Sequence, residues 1–66
     1  MRVSSEHLAD VKYSHGTLEI RFHSGHSYSY YPVPEKKYRD LLAAPSKSEY
    51  FRREIKGKYN YQKVAG

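Results

Sequence analysis

Arg52, Arg53, Lys56 and Lys58 crowd one short stretch of the chain, and two tyrosine pairs, Tyr28 with Tyr30 and Tyr59 with Tyr61, are each spaced two residues apart. On a helix Arg52 and Lys56, at i and i+4, share a face, with Arg53 offset by about 100°. Like charges at that spacing weaken a helix slightly, so the grouping suits phosphate contact, while Lys56 fits the favourable cation position at a helix C-terminus equally well. On a strand, side chains two apart point the same way. Each tyrosine pair is therefore either a stacking platform for flat heterocycles, worth about 1–3 kcal/mol per ring, or part of a core that uses the ring for volume and the hydroxyl at its boundary. The Tyr59–Tyr61 pair has Lys58 and Lys63 close by, and a terminal strand offers it more exposure.

Other chemistry is poorly provided for. Of the histidines His7, His15, His23 and His26, the last two flank a Ser24-Gly25 turn across which they would approach one another. A zinc site takes a third and fourth ligand, and the chain has no cysteine. It also lacks a Ser/His/Asp spacing, paired carboxylates and a glycine-rich phosphate loop. The expectation is a binding protein rather than an enzyme, without metal or cofactor.

Charge is unevenly spread along the chain. The net charge is +5 and the pI about 9.6, yet residues 1–31 balance Arg2, Lys12 and Arg21 against Glu6, Asp10 and Glu19. The whole excess lies in residues 32–66, where nine cations oppose four anions. Such asymmetry fits a polyanionic partner or a basic, solvated face. Eight of the ten aromatic residues are tyrosine, part of which a small domain uses to build its core. A chain of 66 residues makes one domain, 1–66, because a chain this short buries only about 60% of its unfolded surface and cannot support two cores. The longest apolar run, Leu41-Leu42-Ala43-Ala44, is far below the ~20 residues of a membrane span, and Met1-Arg2-Val3-Ser4 does not open a signal peptide. The cytosol is the expected compartment.

The elements that must position these residues change period midway. Leu18, Ile20 and Phe22 alternate with Thr17, Glu19, Arg21 and His23, the pattern of a half-buried strand. Leu8–Tyr13 alternates in part before it, Ser14-His15-Gly16 supplies a tight turn, and Ser24-Gly25 leads into His26–Tyr31. A three-stranded antiparallel meander follows. Pro32 and Pro34 stop the third strand, and Pro34 suits the first position of a helix that carries Tyr38, Leu41 and Leu42 on one stripe. Pro45 ends it. Ser46 to Glu49 reads as a capping box opening a second helix through Tyr50, Phe51 and Ile55, with Gly57 as its stop. Tyr59–Val64 alternates again as a possible fourth strand. The fold class is α+β, a small two-layer sandwich in which Leu41, Leu42, Phe51 and Ile55 cover one sheet face and Lys12, Glu19 and Arg21 line the other.

Val3-Ser4-Ser5, Leu18–Phe22, Gly25, Tyr28-Ser29-Tyr30, Val33-Pro34, Tyr38, Leu41, Ala44, Ser46, Tyr50-Phe51, Ile55, Tyr59 and Tyr61 together resemble the KTSC domain, from about Val3 to Val64. That family takes its name from an appendage at the C-terminus of some lysyl-tRNA synthetases and also occurs as short free-standing proteins of bacteria and phages. The attachment implies RNA binding. The chain departs from the pattern at Ser48, where glycine is expected, at Arg52, where asparagine is frequent, and in the short turn at Ser14-His15-Gly16. Arg52 adds charge beside Arg53. The leading expectation is a binding module for RNA or single-stranded nucleic acid, with Arg52, Arg53, Lys56 and Lys58 on phosphate and Tyr59, Tyr61, Tyr28 or Tyr30 stacking. The alternatives are an adaptor for an acidic protein surface, inhibitory if phage-encoded, and a homo-oligomeric sponge for a small nucleotide.

Overall fold

The computed structural model describes residues 7–65. Strands β1 (Leu8–Ser14), β2 (Thr17–Phe22), β3 (Ser27–Tyr31) and β4 (Asn60–Ala65) form one antiparallel sheet in that spatial order. Helices α1 (Glu35–Ala43) and α2 (Lys47–Glu54) intervene between β3 and β4 in the chain. The meander is thus as expected, and the fourth strand joins it alongside β3. It runs one residue later than Tyr59–Val64.

Both hairpins rest on local chemistry. His15 (φ 50°) and Gly16 (φ 82°) are both left-handed between the Ser14–Thr17 pair, as a two-residue turn that matches strand twist requires. Gly16 has a second reason to be glycine: a Cβ there would lie 3.3 Å from the Tyr31 ring. At the other turn the Gly25 N–H donates to the Phe22 carbonyl (2.9 Å) and the Phe22 N–H to that of His26 (2.9 Å).

Pro34 does not open α1 but caps it, with extended backbone (φ −63°, ψ 146°). Ala44, immediately before Pro45, is extended as well, since the proline ring excludes the helical conformation from its predecessor. In α2 the Ser46 hydroxyl accepts from the Glu49 N–H at 3.4 Å, but the Glu49 carboxylate completes no box. It reaches Arg53 one turn ahead. Gly57 (φ 79°) then reverses the chain towards β4.

Leu8, Val11, Leu18, Ile20, Tyr30, Val33, Leu41, Phe51 and Ile55 form the buried core between the helices and one sheet face. Leu42, expected among them, is only half-buried. The opposite face sets Lys12 against Glu19 and Asp10 against Arg21 in the β1–β2 register, opposite-charge pairs that suit a solvated sheet surface. Among the described residues no helix is long and apolar enough to cross a membrane.

Candidate functional site

Directly opposed residues of neighbouring antiparallel strands lie on one face, so the register defines rows across the sheet. One row on the helix-covered face is Tyr13, Leu18, Tyr30, Tyr61, and the next is Val11, Ile20, Tyr28, Lys63. The helices cover these rows unequally. At the β1 end the Tyr13 hydroxyl donates to the Val33 carbonyl (2.7 Å) and its ring stacks on Tyr38 of α1, centroids 5.1 Å apart. At the β4 end Tyr61 is 66% exposed.

Phe51 of α2 descends between the two ends, its ring 5.5 Å from both Phe22 and Tyr30, edge to face in each case. Tyr28 meets Phe22 at 5.9 Å. Tyr61 leans on this wall from outside, 5.8 Å from Tyr28 and 5.7 Å from Tyr30. These five rings, with Lys56 and Gly57, line a cavity of about 340 Å³, at the small end of the range for ligand sites. Beside it Pro32, Lys58, Tyr59 and Asn60 share Tyr61 in a second, more open depression. Burial, reinforced by the neighbouring Tyr61 and Tyr28 hydroxyls, pushes Tyr30 up to about 12, so at neutral pH it is a neutral hydroxyl, able to donate as well as accept.

The tyrosine alternatives thus resolve individually. Tyr30 is core, Tyr28 and Tyr59 are half-buried, and Tyr61 is open. The cations divide too. Arg53 is held by Glu49 at 3.4 Å and Glu54 at 3.3 Å, whereas Arg52, Lys56, Lys58 and Lys63 have no anionic partner among the described residues. Lys56 lines the cavity, and Lys63, opposite Tyr28, is directed to the same face. Sequence reasoning had Phe22 and Phe51 only as core and left Lys63 outside the phosphate set. Its signal was parity with Tyr61, and the Arg53 pairing was signalled by Glu49 four residues before it. Near the β2–β3 turn the Nδ1 of His26 is buried without a hydrogen-bond partner. No group of three metal-ligating side chains occurs among the described residues.

Such a small antiparallel sheet with two covering helices and an aromatic cavity at one flank has a clear relative. A crystal structure of a KTSC domain protein from Yersinia pestis superimposes with a TM-score of 0.91 at 34% identity, over 97% of this chain and 93% of that one. The profile of the KTSC domain matches residues 4–59, and the chain belongs to this family. It is also 43% identical over 49 residues to the lysine–tRNA ligases of Nostoc punctiforme and Trichormus variabilis. The match takes in 74% of this chain but only 9% of either ligase.

Proposed function

We propose that this domain binds RNA or single-stranded nucleic acid, one base entering the cavity against Tyr28 and Tyr61 while Arg52, Lys56 and Lys58 meet the flanking phosphates. The observation that carries this reading is Tyr61, an exposed ring set against Tyr28 and Tyr30, with Lys56 and Lys58, which have no anionic partner among the described residues, lining the two depressions it shares. Stacking is tolerant of base identity, and the phosphates supply charge without sequence information. Likeness to a segment of enzymes named for a tRNA supports RNA as the polymer, and the cytosol as the place of action. Arg53 contributes less than its neighbours, its charge being already compensated.

Fluorescence titration of a labelled single-stranded RNA across a salt series tests it. Parent protein is expected to bind with a log–log salt slope of about −0.7 per phosphate contact, near −2 for three cations. Tyr61→Ala should lower affinity by about 1–3 kcal/mol with the slope kept, and joint replacement of Arg52 and Lys58 by Gln should flatten the slope. Absence of RNA binding at low salt overturns the reading. The cavity's single-ring size favours a free mononucleotide as the second reading, recognised by binding with little salt dependence.

A further inference from the structure

β4 closes the sheet on the cavity side, and all six of its residues are exposed. Its hydrogen-bonding directions follow from the register. The Ser14–Thr17 pair closes a two-residue turn, so Lys12 and Glu19 exchange backbone hydrogen bonds with each other, and Leu18 and Ile20 direct theirs to β3. The second hairpin agrees, since the Phe22 N–H donates to His26. Ser29 is thereby left to face β4, and Gln62, opposite it, points its N–H and C=O inward to β3. Tyr61 and Lys63 present theirs outward, at an edge that no other strand covers among the described residues. Of the three large hydrophobic side chains exposed among the described residues, two, Tyr61 (66%) and Val64 (53%), also belong to this strand.

We propose that this edge pairs with β4 of a second copy of the chain, antiparallel, about a two-fold axis through Gln62. An axis perpendicular to the sheet keeps the helices of both copies on one side, so opposed residues must share a face. Centring on Gln62 sets Tyr61 against the partner's Lys63 and Asn60 against the partner's Val64. The outward backbone groups of Tyr61 and Lys63 then satisfy one another. Centring on Lys63 would oppose two ammonium groups, and centring on Tyr61 would draw in Tyr59, which lies before the strand. The only charge on β4 is Lys63. The favoured register places it against a neutral ring instead of against itself, and that complementarity selects a copy of this chain as the occupant. Each cavity gains a cation from the other protomer beside Tyr61, positioned for cation–π contact, and two cavities stand side by side on one eight-stranded sheet. This pairing does not depend on the nucleic-acid reading.

So short an edge buries less than the roughly 1,200 Å² of a standard interface, and a weak, concentration-dependent dimer is expected. Sedimentation equilibrium should show the 7.8 kDa chain doubling in mass as concentration rises. In a mixture of labelled and unlabelled protein, an isotope-filtered NOE should connect the Gln62 Hα protons of two copies. Lys63→Pro removes an outward N–H while sparing the inward bonds of Gln62, so it should abolish the dimer with the circular dichroism spectrum retained. Lys63→Gln keeps the backbone groups and should still dimerise. A parent that stays at monomer mass throughout, or a dimer that lacks the Gln62 contact, overturns the proposal. If Lys63→Pro fails to fold, the NOE on the parent decides alone.

Discussion

Tyr13 and Tyr61 stand at opposite ends of the same cross-strand row, yet one is half-buried under a stacked ring and the other open. Tyr13 has Tyr38 of α1 stacked on its ring and the Val33 carbonyl on its hydroxyl. Tyr61 has a wall of rings on one side and solvent on the other. The strands treat both positions alike, and what differs is which helix lies above. α1 delivers a flat ring to its flank, while α2 delivers Phe51 to the middle of the sheet and then ends, leaving Lys56 and Gly57 at the cavity's rim. The β1 flank therefore serves the fold, and the β4 flank is free to serve a ligand.

Truncating the two rings is the severest test of that division. Tyr13→Ala should cost about 3 kcal/mol, the low end for a large aromatic lost from a packed site. A chain of 66 residues holds only roughly 3–10 kcal/mol in all, so its melting temperature should fall on the order of 15 °C. Tyr61→Ala should stay within about 0.5 kcal/mol of the parent. Equal losses in calorimetry would show that the open flank is structural after all. Removing only a hydroxyl sharpens the contrast on a smaller scale. Tyr13→Phe leaves the Val33 carbonyl without its donor and should cost about 1 kcal/mol, whereas Tyr61→Phe should be silent in the same melt.

The strands, both turns and both helices were legible because each has a local cause: alternation at Leu18, Ile20 and Phe22, glycine at positive φ in the turns, proline and serine at the helix starts. The candidate site was legible only as a set of residues. Tyr28 and Tyr30 share a face as their spacing requires, but spacing cannot say that Phe51 presses on Tyr30 and stops short of Tyr61. That depends on where α2 ends over the sheet, a tertiary matter. Charge was half legible. The excess in the second half is real, but the i, i+4 partner of Arg53 was available in the sequence and was read as half of a capping box instead. Lys63 was read beside Tyr59 and Tyr61 but left out of the phosphate set: its parity with Tyr61 gives the face, whereas its place opposite Tyr28 is set by the β3–β4 pairing.

The smallest expected effect concerns what holds α2 in place over the open flank. Lys37 of α1 donates to Glu54 of α2 at 2.9 Å, both side chains about one-third exposed. The Lys37 hydrogen bond and charge, helped by Arg53, hold the Glu54 carboxyl below its ordinary value of 4.5. The same hydrogen bond raises Lys37 above 10.5. A carboxyl with a lowered folded-state pKa contributes stability that is complete above 4.5 and lost as pH falls through the lowered value. The raised lysine contributes stability that is complete below 10.5 and lost as pH rises through its raised value. Within the physiological range both contributions are therefore constant, and the acid limb is where the link can be seen. Glu54→Gln should melt slightly below the parent at neutral pH, and the two curves should converge as pH falls below 4.5, the parent losing what the variant never had. Because the pair is accessible to water, about 1 M salt should erase most of the difference. A gap that persisted at low pH would mean that Glu54 supports α2 by packing and not by charge, and that the open flank keeps its shape without an ionic tie to the closed one.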